Sequence, residues 1–358
     1  MRRLKTGVTT GLCAAASSKA AMIALLSPAP AARVDVMAKN GARILFEVAE
    51  TVYENDSIRC AVIKDAGDDP DVTNGVRVCA AVSKTDTGGI EIDGGDGVGR
   101  VTKPGLSVPA GRAAINPVPA EMIRAAVTEV CMAYDYTGGV RVVISIPGGA
   151  DIAKATMNER LGIEGGLSIL GTTGIVEPMS ERAIVETIKA DINVRIASGE
   201  KSLVITPGNY GRDFASEALG LNIAQAVKCS NFIGETLDYA CAKEIRKLTL
   251  IGHAGKLVKL AGGIMNTHSA IADCRMEIIA AHCALAGAGA GIIGQIMACV
   301  TVEAAIGAMS RAGINGAAWK SIGERIGYHL RERTRGQVTV EYIVFTQEYG
   351  VLYRGVTA

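Results

Sequence analysis

The chain has 358 residues, 49% apolar and 20% charged, with a formal net charge of +1. That length is long for a single hydrophobic core and predicts two domains. Near neutrality excludes the basic excess with which nucleic-acid binders neutralise phosphate, leaving room only for a local basic patch meeting a small anion. The nine cysteines lie scattered without a CxxC pair, a spacing of buried, reduced thiols in a cytoplasmic protein rather than a disulfide frame or zinc site.

In chain order, Leu12 to Leu26 reads as an alanine-rich helix with Thr10 or Gly11 near its cap. A signal peptide is the competing reading of this charged-then-apolar start, but Lys19 interrupts the apolar run. Asn40-Gly41 stands between two alternating runs, a hairpin signal, and strands follow at "IRCAVIK" and "GVRVCAAVSK". Asn116 and Pro117 open an amphipathic helix with Met122, Ile123, Ala126, Val127 and Val130 on one face; "VRVVISIPGG" then reads as a buried strand. Ile184, Ile188, Ile192 and Ile196 form a helical stripe, and "ASGEKS" at 197–202 is the expected domain boundary. Beyond it three strand, small-residue turn, helix units predict a parallel sheet flanked by helices, with two further strands in "QVTVEYIVFTQEYGVLYR". The expected architecture is an α+β N-terminal domain, residues 1–197, followed by an α/β C-terminal domain, residues 198–358.

The uncharged stretch from Ile278 to Val302 is long enough to span a membrane on length alone. Its "GAGAG" at 287–291 divides it into two short apolar helices, so a buried helix pair is expected instead.

The glycine-rich "EIDGGDGVGRVTKPG" invites a nucleotide reading but fails its templates. From Gly95 the spacing is one residue short of GxGxxG, and no Walker lysine follows. It reads either as a solvated hairpin tip or as a mobile lip whose Arg100 and Lys103, with Arg112, meet carboxylates on a ligand. "KDAGDDPDVTNG" places carboxylates at 65, 68, 69 and 71, but a calcium loop begun at Asp69 would need Glu where Ala80 stands. A polar turn, or a cleft with Asp65 as a general base, remains. Two Thr-Thr-Gly elements, with Thr9 and Thr10 in one and Thr172 and Thr173 in the other, offer hydroxyls and amides to a shared ligand surface, unless turn chemistry alone explains them. At the later strand ends, Thr206, Gly208, Asn209 and Gly211, then Ser230 and Asn231, then Gly252 and His253 are small or polar residues suited to a flat ligand. Of the histidines, His282 and His329 fall in predicted helices, while His253 sits in a turn, with Asn266 and His268 as weaker companions.

The phrases "TGVTTGLCAAASSKAA", "KDAGDDPDVTNG", "DGGDGVGRVTKPGL", "AINPVP", "ISIPGG", "LGIEGGLSILGTTGIVEPMS" and "LIGHAGKLVKLAGGIMNTHS", in this order, resemble the cobalt-precorrin-5B C(1)-methyltransferase family, CbiD, of anaerobic cobalamin synthesis. The resemblance runs from about residue 4 to the end. It implies transfer of a methyl group from S-adenosylmethionine to ring carbon C-1 of a cobalt-bearing tetrapyrrole, with cobalt as part of the substrate and no protein metal site. Under it, Arg100, Lys103, Arg112 and Lys256, with the four threonines, become candidates for the substrate's carboxylates, Arg212 joining the cations. The strand-end residues 206, 208, 209, 211, 230, 231, 252 and 253 become candidates for the methyl donor, and His253 and Asp65 the candidate catalytic groups. The implied partners are the tetrapyrrole, a second copy of the chain and neighbouring pathway enzymes in transient handover, without nucleic acid or membrane. A non-catalytic corrinoid carrier of the same pathway is the alternative.

Overall fold

The computed structural model describes residues 4–208 and 226–357. Cα packing divides the chain into two compact units, Met1–Glu181 and Arg182–Ala358; both mix helices and strands.

In the first unit, β1 (Gly7–Val8) leads into α1 (Thr10–Leu26), and β2 (Arg33–Met37) and β3 (Arg43–Glu47) form the hairpin around Asn40-Gly41. Then come β4 (Glu50–Tyr53), β5 (Ile58–Ile63), β6 (Arg77–Thr85), β7 (Ile90–Gly94), β8 (Arg100–Val101), α2 (Pro117–Ala133), β9 (Gly139–Ser145), α3 (Gly149–Ala153), β10 (Ile163–Glu164) and β11 (Ile175–Val176). The main sheet has the order β4-β5-β6-β9-β7. Its pairs are antiparallel except β7 with β9, where Ile92 lies opposite Val142. That parallel pair follows from α2 acting as the crossover between the two strands.

Helix α1 is buried nearly all round because it is built from small side chains, which let α2 and the sheet approach closely. Its polar residues are satisfied internally: Ser18 donates to Ala14 O at 2.7 Å, and Ser17 to the same oxygen at 3.1 Å. Lys19, the residue that broke the apolar run, sends its ammonium to Asp35 O at 2.8 Å and Glu129 at 2.9 Å. The segment is a core helix of the folded unit.

The second unit begins with α4 (Glu181–Ala197), then β12 (Ser202–Thr206), β13 (Val227–Lys228), α5 (Ile233–Ala242), β14 (Lys247–His253), α6 (Ala254–Leu257) and a 3-10 turn at Val258–Gly262. Helices α7 (Arg275–Leu285), α8 (Ala290–Met297), α9 (Val302–Arg311) and α10 (Asn315–Thr334) precede β15 (Thr339–Thr346) and β16 (Gly350–Val356). The sheet order is β13-β12-β14-β15-β16, parallel through β15, with β16 antiparallel at the edge.

The compact units part at Glu181, earlier than the 197 boundary expected from the glycine-containing "ASGEKS". The reason is packing: Ile188 and Ile192 of α4 are buried in the same cluster as Leu203 and Ile205 of β12. The Ile278–Val302 stretch divides at Gly287 into α7 and α8, and among the described residues no helix is long and apolar enough to cross a membrane.

Candidate functional site

The strand order places a topological switch point between β12 and β14, because the chain goes from β12 outward to β13 and returns past it to β14. The crevice at the carboxyl ends of such strands is where open α/β sheets bind ligands. Thr206 ends β12 there, with Pro207 and Gly208 following, and Gly252 and His253 end β14, with α6 following. Thr206 Oγ1 donates to Gly208 O at 3.2 Å, shaping the turn. Lys256 reaches across from α6 and donates to Pro207 O at 2.5 Å. Asn209, Gly211 and Arg212 lie outside the described residues.

His253 is held on both ring nitrogens. Its Nδ1 accepts from Gly255 N at 3.1 Å, capping α6, while Nε2 lies 3.0 Å from Glu303 Oε1. An acceptor at Nδ1 leaves the neutral ring's proton on Nε2, where it is donated to Glu303. Glu303, in the first turn of α9, had no sequence signal linking it to His253: only the packing of α9 joins them.

At the end of β13, Ser230 adopts φ 51° and Asn231 turns inward to the 264–274 segment. Asn231 O accepts from Thr267 N at 3.0 Å, and Asn231 Oδ1 from Thr267 Oγ1 at 3.2 Å. Lys259, buried, donates to Thr267 O at 3.1 Å and Ala272 O at 2.8 Å, holding that segment in place. Cys229 beside them is fully buried, which pushes its thiol up to about 12 and leaves it inert at neutral pH.

In the first unit the structure brings together three motifs that are far apart in sequence. β1 pairs with β11 antiparallel, so the Thr-Thr-Gly elements lie side by side. Thr9 caps α1 by accepting from Leu12 N at 3.2 Å, and Thr10 Oγ1 both donates to Leu170 O and accepts from Leu170 N. Thr173 Oγ1 bonds Ile175 on both backbone atoms, whereas Thr172 is exposed. Each of the four aspartates of 64–75 has a protein partner: Asp65 takes Lys5 Nζ at 2.6 Å, Asp68 takes Lys5 N, Asp69 takes Met179 N, and Asp71 takes Lys64 Nζ. The hydrogen bond from Lys5 holds the Asp65 carboxyl below the usual range, opposite to the upward shift a general base needs at neutral pH.

The glycine-rich loop is neither a hairpin tip nor a mobile lip. Gly95 N donates to Ile144 O at 2.8 Å and Leu167 N to Gly97 O at 2.9 Å, tying the loop to β9 and to the 162–167 segment. Gly97 has φ 69° and lies so close to Ile146 O, Gly149 and Gly166 that a side chain has no room. Its glycines serve close backbone packing. Arg100 is committed to Asp93 at 3.3 Å, while Arg112 and Lys103 are exposed, Lys103 laying its stem over Gly162.

The CbiD family model matches residues 1–178, and the model of the CbiD C-terminal domain matches residues 266–356. A cobalt-precorrin-5B C(1)-methyltransferase of Ruminiclostridium cellulolyticum is 50% identical over 345 residues, 96% of this chain and 90% of that protein. The one from Alkaliphilus metalliredigens is 42% identical over 98% of this chain and 92% of its own length. A crystal structure of a cobalamin biosynthesis protein (cbiD) from Archaeoglobus fulgidus is 30% identical, with TM-score 0.41, covering 75% of this chain and 83% of that one. Family models on both halves and relatives matched over nearly their whole length lead to one assignment: the chain belongs to the CbiD family.

Proposed function

We propose that this chain is a methyltransferase that moves the methyl group of S-adenosylmethionine to C-1 of cobalt-precorrin-5B in anaerobic cobalamin synthesis, in the cytoplasm. The observation that carries this reading is the 50% identity to the Ruminiclostridium cellulolyticum enzyme over 96% of the chain.

The chemistry suits the residues. Methyl transfer from a sulfonium is an in-line displacement in which the macrocycle supplies the electron pair, so the protein mainly aligns two ligands and excludes water. No poised acid or base is needed. Asp65 is held ionised by Lys5, and both His253 nitrogens are engaged by the fold.

In this reading the C-terminal α/β domain takes the methyl donor at the switch point, through the turns at Thr206–Gly208, Ser230–Asn231 and Gly252–His253. Among the described residues, a Cβ built on Gly208 would meet only Lys256 Nζ, at 3.9 Å. The N-terminal α+β domain takes the tetrapyrrole, with Arg112 and Lys103 as the cations free for its carboxylates and Thr9, Thr10, Thr172 and Thr173 shaping the adjoining surface. Cobalt arrives with the substrate. Self-association and handover to neighbouring pathway enzymes belong to the same reading.

The test is incubation of the purified chain with cobalt-precorrin-5B and S-adenosylmethionine bearing a deuterated methyl group. A mass increase of one labelled methyl, located at C-1, is expected. Binding of the tetrapyrrole without any transfer would instead leave the corrinoid carrier.

A further inference from the structure

Four lysines of the two units place their ammonium groups inside the fold, and three have the partners that such a charge requires. Lys19 has Asp35 and Glu129, Lys64 has Asp71 and Thr73, and Lys259 has two carbonyls with Asp273 at 3.9 Å. Lys256 differs. It is half-buried, and among the described residues its one hydrogen bond goes to Pro207 O at 2.5 Å and no carboxylate pairs with it. Burial pulls its ammonium below the ordinary lysine range, with Cys229 acting against the shift and the cation Lys259 adding to it.

The position is fixed rather than incidental. Lys256 stands on the turn that His253 caps and Glu303 braces, and it points across the switch-point crevice between β12 and β14. An ammonium held there with donors to spare is complementary to a carboxylate entering the crevice, and a charge-assisted pair in a partly desolvated site is stronger than its exposed counterpart.

We propose that Lys256 is the carboxylate-binding residue of the strand-end crevice. The inference rests on the methyl-transfer reading, and two ligands of that reaction carry carboxylates. S-Adenosylmethionine also carries a sulfonium, so a cation in the crevice favours its amino-acid end and repels its reacting end. The tetrapyrrole carries carboxylate side chains around its rim.

Calorimetry on the full chain separates the sources and tests the assignment. One arm compares S-adenosylhomocysteine with its decarboxylated analogue; the other compares cobyrinic acid with its methyl ester. The wild type is expected to favour the acid by about tenfold or more in at least one arm. Lys256→Met, with Lys256→Gln as a second variant, is expected to cut that preference about fivefold or more in one arm, while Lys256→Arg keeps most of it. Loss in the first arm assigns the donor's carboxylate; loss in the second assigns the tetrapyrrole's; either supports the proposal. A preference absent from the wild type, or undiminished in both neutral variants, overturns it while leaving the functional reading intact. A wild type that binds none of the ligands overturns both.

Discussion

Thr10 and Leu170 exchange hydrogen bonds across 160 residues of sequence: the threonine hydroxyl donates to Leu170 O at 3.2 Å and accepts from Leu170 N at 3.0 Å. The contact fastens the start of the buried helix to the second Thr-Thr-Gly element. Leu170 O also accepts from Gly11 N at 2.8 Å, so removing the hydroxyl strands mainly the Leu170 N–H. Thr10→Val is expected to destabilise the first unit by about 1–3 kcal/mol, with Thr10→Ser close to wild type. Urea unfolding followed by a probe in this unit measures the difference; equal midpoints for Val and wild type would contradict it.

The Lys64–Asp71 pair makes acid sensitivity predictable. Burial pushes the Asp71 carboxyl up, but hydrogen bonds from Lys64 and Thr73 outweigh it and leave the group below its ordinary value. A carboxyl depressed in the folded state contributes stability that is present above its unfolded pKa, about 3.9, and is lost as pH falls through the lower folded value. Stability of the first unit should therefore fall below about pH 4, and Asp71→Asn should flatten that slope. The variant also leaves a buried ammonium without its counter-ion, costing about 3–5 kcal/mol at neutral pH. Denaturant midpoints between neutral pH and the acid limit check both effects.

Gly97 and Gly111 separate packing from backbone strain. Both hold positive φ, 69° and 86°, but a Cβ at Gly111 meets open space whereas one at Gly97 collides with Ile146 O. Gly111→Ala should cost only the conformational strain, about 1–2 kcal/mol. Gly97→Ala should add steric overlap with backbone that cannot yield, for a total of about 3 kcal/mol or more. Comparable stabilities of the two variants would mean that the loop is looser than its hydrogen bonds indicate.

The two nitrogens of His253 give a spectroscopic signature. With Nδ1 accepting from Gly255 N and Nε2 facing Glu303, the neutral ring is expected as the Nε2–H tautomer. Nitrogen chemical shifts of the labelled imidazole in its neutral form report this directly. Glu303→Ala should mix the tautomers, whereas Glu303→Gln, which keeps an acceptor oxygen, should retain the single form. A dominant Nδ1–H form in the wild type would refute the capping geometry.

Among the first-unit cations, commitment decides the ranking. Arg100 already pairs with Asp93 and reaches Gly94 O and Gly111 O, each at 3.4 Å. Lys103→Ala with Arg112→Ala is therefore expected to weaken cobyrinic acid binding about fivefold and to reduce its salt dependence, with Arg100→Ala alone weaker in effect. Titrations at two ionic strengths make the comparison. A dominant effect of Arg100→Ala would reverse the ranking.

Much of the local structure was legible because it depends on near neighbours. The Asn40-Gly41 hairpin, the helix opened by Pro117 after Asn116, the split of the Ile278–Val302 stretch at "GAGAG" and the strand–turn–helix units that begin at β13 and β14 follow from residue spacing and turn chemistry alone; the helix expected after β12 lies outside the described residues. The family was legible for another reason, its motifs being long and in order. The domain limit was not: "ASGEKS" has the composition of a linker, yet the isoleucines of α4 find their buried partners on β12, beyond it.

The site divides in the same way. Sequence singled out His253, the threonine pairs and the glycine-rich loop from composition at expected turns, and Lys256 through the family resemblance. Only the tertiary structure decided that Glu303 braces His253, that Lys259 and Thr267 hold Asn231, that Lys256 reaches Pro207 O with no carboxylate partner among the described residues, and that Gly97 is a packing residue. Spacing constrains which residues share a strand or a helix face, but ion pairs, desolvation and close backbone contact depend on which distant segments the fold sets side by side.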